Sequence, residues 1–145
     1  MSDNILDTNL KKINYLDDFE NLNLSNKEYV ITGSAACILY GWPTENHDID
    51  IFVNPFKLQM MINNDILKQD ELNQNKYKDK SGNVKCFSNS IGFKWNFKRA
   101  FNNSILLKKY RIMTVGGLYL FYSDLYDTFH KDKYKKKLDW LKYKI

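Results

Sequence analysis

Little in this sequence points to a secreted, membrane-bound or metal-stapled protein. Its 145 residues contain two cysteines, Cys37 and Cys86, both in apolar segments and without CxxC spacing. They are too few for a disulfide framework or a zinc site and read as buried thiols. No stretch comes near the roughly 20 consecutive apolar residues that cross a bilayer. Met1-Ser2-Asp3-Asn4 lacks the basic-then-apolar pattern of a signal peptide, so a cytoplasmic chain with no membrane partner is expected. Prolines number two and glycines six, and neither a linker nor an internal repeat is visible, so residues 1–145 read as one domain. A hydrophobic content of 43% with 15% aromatics is enough for one core.

Arginine is also scarce: nearly all of the 22 basic residues are lysine. That weakens a nucleic-acid reading, because arginine makes the bidentate phosphate contacts. The formal charge of +5 is concentrated at the end, where Lys131 to Ile145 holds seven lysines against Asp132 and Asp139. Such a tail attracts polyanions, although a lysine-rich last helix is ordinarily a solvated face.

Apolar residues recur as Leu6, Leu10, Ile13, Leu16 and Phe19, predicting a helix from Ile5 to Leu22. Tyr29-Val30-Ile31-Thr32 reads as a strand ending at Gly33, followed by a short helix from Ala35 to Tyr40. Asp48 to Val53 alternates acid and aliphatic residues as a strand does. Asn54-Pro55 then caps a helix running toward Asp70, with Phe56, Met60, Ile62 and Leu67 available for packing. Val84 to Ser88 and Gly92 to Lys98 read as a strand pair after the Ser81-Gly82-Asn83 turn, with Phe93, Trp95 and Phe97 on one face and Lys94, Asn96 and Lys98 on the other. A strand from Tyr110 to Val115 is broken by Gly116-Gly117, and a closing helix extends through Leu138 and Leu141.

Strand residues two apart share a face, so Asp48 and Asp50 present two carboxylates together while Ile49 and Ile51 turn to the core. Two such acids repel unless a cation lies between them, and Mg²⁺ or Mn²⁺ is the usual solution where a phosphate is also bound. Gly33 lets backbone approach a phosphate, and Ser34 adds a hydroxyl and an N–H at a helix start. The segment Ile31 to Val53, ITGSAACILYGWPTENHDIDIFV, resembles the signature of the nucleotidyltransferase superfamily, particularly its minimal members and those of abortive-infection and toxin-antitoxin systems.

The resemblance implies an α/β (α+β) nucleotidyltransferase fold, a small mixed β-sheet flanked by helices. It implies that Gly33 and Ser34 touch a nucleoside triphosphate and that Asp48 and Asp50 are catalytic and bind Mg²⁺ or Mn²⁺. The family places a third acid on a later strand. On the strand read from Phe93 to Lys98 that place falls to Asn96, which binds Mg²⁺ weakly and cannot act as a base. Lys94 and Lys98 beside it would make a basic wall for phosphate or nucleic acid. Asp70, Glu71 and Asp79 are other acids that a working enzyme would recruit. Glu45 and His47 adjoin the acid pair, but loop residues before a strand are ordinarily caps or solvent-exposed, and the His47 side chain points away from that of Asp48. His130 reads as a surface residue, and Tyr119, Tyr122, Tyr126 and Tyr134 as a core stripe.

Two functions follow from the resemblance. One is metal-dependent transfer of a nucleoside monophosphate to a hydroxyl on RNA, protein or a small molecule. The other is an inactive nucleotidyltransferase fold that binds a nucleotide, nucleic acid or a protein partner.

Overall fold

The computed structural model describes residues 3–43 and 48–144. Thr44, Glu45, Asn46 and His47 lie outside the described residues. Two short helices, α1 (Asp3–Leu10) and α2 (Leu16–Glu20), precede β1 (Tyr29–Thr32), α3 (Gly33–Leu39) and β2 (Ile49–Val53). Helix α4 (Pro55–Asn63) leads to β3 (Lys68–Gln69), β4 (Tyr77–Lys78) and β5 (Val84–Phe87). The chain continues through β6 (Asn89–Ser90), β7 (Trp95–Asn96), α5 (Phe97–Asn102), β8 (Ser104–Leu107) and β9 (Tyr110–Met113). Helices α6 (Val115–Phe129) and α7 (Asp132–Lys142) complete it.

The architecture is mixed α and β. Seven strands form one sheet in the order β3-β4-β5-β2-β1-β9-β8, and β6 and β7 pair separately. The sheet is mixed: β2 runs antiparallel to β1 and parallel to β5, and β9 runs parallel to β1. Register fixes which residues share a face. Thr32 pairs with Asp50 and Val30 with Phe52, while Asp50 pairs with Lys85 and Phe52 with Phe87. One face therefore carries Thr32, Asp50 and Lys85 in a row, beside the apolar row of Val30, Phe52 and Phe87. Helix α6 covers this face through Phe121, whose ring meets Phe52 edge-on at 5.9 Å and Trp95 at 5.5 Å. Ile31, Ile49, Ile51 and Cys86 are fully or almost fully buried on the other face. Both cysteines are buried and unpaired. Among the described residues no helix is long and apolar enough to cross a membrane.

The first predicted helix is two. The chain turns between Lys11 and Tyr15, where Tyr15 takes a left-handed φ of 68°. Leu6, Ile13 and Phe19 are still buried, because a turn can deliver a periodic set of apolar residues to a core as well as a straight helix can. The helix after Asn54 ends at Asn63, and its buried residues are Leu58 and Met61, whereas Phe56 and Met60 are exposed. Asp65, with φ 58°, then turns the chain toward β3. The expected pairing of Val84 to Ser88 with Gly92 to Lys98 is replaced: β5 inserts between β4 and β2, and only the two-residue strands β6 and β7 pair across the turn. Positive φ at Ile91, Gly92 and Phe93 tightens that turn, and Phe97 opens α5 instead of extending a strand. Phe93 accordingly stands exposed while Trp95 is fully buried. The closing helix breaks at His130, φ 53°, into α6 and α7. Gly116 and Gly117 lie within the first turn of α6, and a Cβ at Gly117 would come 2.9 Å from the Asn103 carbonyl.

The Asn54 side chain accepts hydrogen bonds from the Phe56 and Lys57 N–H groups at 2.9 and 3.3 Å, with Pro55 at the first helical position. Asn54→Ala removes this cap and is expected to cost about 1 kcal/mol. Urea denaturation with an unchanged m-value would measure it, and a cost near zero would mean that β2 alone holds the start of α4.

Candidate active site

Gly33 occupies the left-handed region with φ 67°, where any other residue is strained. A Cβ there would lie 3.2 Å from Asp50 Oδ2, so the missing side chain is what allows the carboxylate to rest against the turn. Asp48 immediately precedes β2, and Asp50 stands on it two positions on. Gly33, Ser34, Asp48 and Asp50 line one cavity of about 490 Å³. The four residues on which the likeness to nucleotidyltransferases rests are thus brought together.

Four lysines that the motif does not include also line this cavity: Lys76, Lys85, Lys133 and Lys137. Lys85 Nζ lies 3.2 Å from Asp48 Oδ2, and Lys76 Nζ lies 3.8 Å from Asp50 Oδ1 and over the Phe87 ring. Lys137 is placed by α7 beside the rings of Trp42 and Tyr122. Phe87, Phe121, Tyr122 and Tyr134 supply apolar wall. Four ammonium groups against two carboxylates give the cavity a net positive charge and suit it to a polyanion.

Asp50 is held in tension by its surroundings. A quarter of its side-chain surface remains exposed, yet Oδ1 is enclosed and has no hydrogen-bond partner among the described residues. Burial pushes its carboxyl above the usual range, against the pull of Lys76; the Asp48 charge adds to the rise, and Lys85 and Lys137 oppose it. For Lys85, burial works to lower its value, but the hydrogen bond and charge of Asp48, with Asp50 and Asp70 behind, outweigh that and raise it. Burial lowers Lys137.

An enclosed carboxylate oxygen without a donor is what a cation satisfies, and Asp48 and Asp50 offer the hard oxygen ligands that Mg²⁺ or Mn²⁺ takes. No group of three or more His, Cys, Asp or Glu side chains suited to a metal occurs among the described residues. Asp48 and Asp50 could hold such an ion only with its remaining ligands drawn from phosphate and water.

Lys94, Asn96 and Lys98 are not part of this cavity. All three are exposed, and the Asn96 side chain accepts from the Arg99 N–H at 2.8 Å as the cap of α5. The residue facing Asp50 on the neighbouring strand is Lys85, not Asn96. Among the other acids, Asp79 holds Ser81 and the Val84 N–H, Glu71 is exposed, and Asp70 is buried 3.7 Å from Lys85. His130 is exposed at the α6–α7 corner. Tyr122 is core and cavity wall at once, and Tyr134 is wall. One signal for Lys85 was present in the sequence: a single charge in the otherwise apolar run Val84-Lys85-Cys86-Phe87 marks a strand position that faces something other than core. No family model, curated protein or solved structure matches the chain.

Because the folded state raises the Asp50 pKa above its unfolded value, the folded chain binds that proton more tightly, and stability falls as pH rises through a window beginning at about 4. Asp50→Asn removes the ionisable group with little change of volume. Its melting temperature is expected to exceed that of the wild type at neutral pH by a few degrees, with the two curves converging below about pH 4. Equal melting temperatures across the whole range, followed by calorimetry, would show that Lys76 and Lys85 already neutralise the carboxylate.

Proposed function

We propose that this chain binds a nucleoside triphosphate as its Mg²⁺ or Mn²⁺ complex and transfers the nucleoside monophosphate to an acceptor hydroxyl on RNA, protein or a small molecule. The reading rests on the resemblance of Ile31 to Val53 to the nucleotidyltransferases. The observation that carries it is the convergence of Gly33, Ser34, Asp48 and Asp50 on one cavity that four lysines make positive. In this reading the fold is that of a small nucleotidyltransferase.

The side chains divide the work. Asp48 and Asp50 would hold the ion, which when bound would neutralise phosphate charge and help orient the α-phosphate. Gly33 is buried and seats the Asp50 carboxylate against the turn, and Ser34, half-buried beside it, offers its hydroxyl. Lys76 and Lys85 flank the acids and Lys133 and Lys137 line the cavity from α7, which supports a triphosphate held between sheet and helix. Helix α3 is too short for its dipole to matter much, and the attraction comes from the ammonium groups. Tyr134, a half-buried part of the cavity wall, offers a ring surface for a base.

Lys85 favours a second reading, binding without transfer. It stands beside Asp50, where a carboxylate able to activate the acceptor hydroxyl would be in place, and an ammonium ion cannot accept that proton. Calorimetric titration with ATP and Mn²⁺ is expected to show binding whose metal-dependent part is lost in Asp48→Ala, Asp50→Ala. Binding unchanged in that variant would remove the acids from the site. Transfer from radiolabelled triphosphates to mixed RNA, or to the chain itself, separates the two readings: robust transfer by the wild type defeats the second. Transfer confined to Lys85→Asp would establish it.

A further inference from the structure

Lys85 lies between two acids. Its ammonium is 3.2 Å from Asp48 Oδ2 on one side and 3.7 Å from Asp70 Oδ2 on the other. Asp70 is outside the cavity lining, and its side chain is only 9% exposed. Its Oδ1 accepts from the Leu72 N–H at 2.9 Å, and its own N–H donates to the Lys76 carbonyl at 2.8 Å. The carboxylate is therefore fixed, with Oδ2 turned toward Lys85. Lysine has a flexible stem and a compact charge, so a change of rotamer is enough to favour one acid over the other.

Charge balance gives this arrangement a purpose. With no divalent ion, the Lys85 ammonium keeps Asp48 and Asp50 from facing each other unscreened. An incoming divalent cation on those two acids would leave Lys85 as an excess positive charge beside it, unless a third carboxylate receives the ammonium. Asp70 is that carboxylate: three acids then match one divalent ion and one ammonium. Lys76, the other cation at the acid pair, remains for the phosphate. We propose that Lys85 is a displaceable counter-ion, holding Asp48 while the site is free of metal and withdrawing to Asp70 when a divalent cation takes Asp48 and Asp50. Lys85 and Asp70 thereby set the concentration at which the site accepts its metal. Asp70 acts as a positioning residue, only through Lys85. This rests on Asp48 and Asp50 being a cation site.

The test uses Mn²⁺ alone, without nucleotide, on the full chain, with free ion counted by electron paramagnetic resonance. Removing the competing ammonium in Lys85→Gln is expected to tighten Mn²⁺ binding about tenfold, a modest share of what a close charge pair at a partly exposed site can supply. Asp70→Asn keeps an oxygen for the Leu72 N–H but takes away the ammonium's second partner, and is expected to weaken binding several-fold. In the double variant Asp70→Asn should have no further effect, because its action passes through Lys85. Lys85→Met repeats the first measurement without a polar head and guards against a new contact by the glutamine. Binding no tighter in both Lys85 variants overturns the proposal. So does an Asp70→Asn effect of equal size in both backgrounds, which would make Asp70 a direct ligand. If wild-type binding is lost in Asp48→Ala, Asp50→Ala but indifferent to Lys85, the counter-ion role fails and the cation site stands. Mn²⁺ ignored by wild type and both Lys85 variants alike would overturn both.

Discussion

The site depends on the Asp50 carboxylate lying where a side chain at Gly33 would crowd it, 3.2 Å from the position of a Cβ. A carboxylate enclosed beside bare backbone is costly, since burial disfavours its charge and one oxygen has no hydrogen-bond donor. Three features hold it in place. Strand β2 is almost fully buried around it, the antiparallel register to β1 sets it level with Thr32, and Gly33 has no Cβ to collide with Oδ2. The strain at Asp50 is local, and the surrounding apolar sheet sustains it. Such a conflict between local stability and a specific arrangement of groups is typical of a functional site.

Cations relieve that conflict from two directions with different permanence. Lys76 and Lys85 come from strands and loops beside β2 and are tied to the same face of the sheet. Lys133 and Lys137 come from α7, a helix that packs on α6 rather than on the sheet. The sheet lysines thus answer the acids, and the helix lysines answer whatever enters between helix and sheet. A ligand carrying several negative charges would join the two layers, and its binding would stabilise the α6–α7 corner at His130 as well as the cavity.

Much of this was legible in the sequence, for definite reasons. The strand from Tyr29, the Gly33 turn, the Asp48 and Asp50 pair and the Asn54 cap were readable because each is dictated within a few residues by backbone sterics, period-2 alternation or capping chemistry. The partner of Asp50 was not. Which strand lies beside β2 depends on long-range pairing, and the strand pair read from Val84 to Ser88 and Gly92 to Lys98 carries no local mark of it. The turn that separates the two segments has positive φ at three successive residues, Ile91 to Phe93, and Ile and Phe do not announce that conformation. Asn96, expected beside the acid pair, caps α5 instead, and Lys85 faces Asp50. The same locality explains the helices: periodicity records which residues are buried, not whether the helix between them is continuous, so one apolar pattern spans α1 and α2 and another spans α6 and α7.

The lysine-rich end shows what composition alone leaves out. Seven lysines in a terminal segment read as a solvated face, and Lys135 behaves so, pairing with Asp139 one turn on in the open. Spacing separates the others. Lys133 and Tyr134 lie four and three residues before Lys137, on the side of α7 that continues to Leu138 and the fully buried Leu141. Leu141 anchors the helix, and the two lysines on the same side line the cavity that Asp48 and Asp50 also line. A basic tail with no packing residues would attract polyanions without direction. One anchored by Leu141 places its charge where the acid pair already holds the opposite end of the site, and that anchoring makes the positive excess of this chain part of a defined cavity.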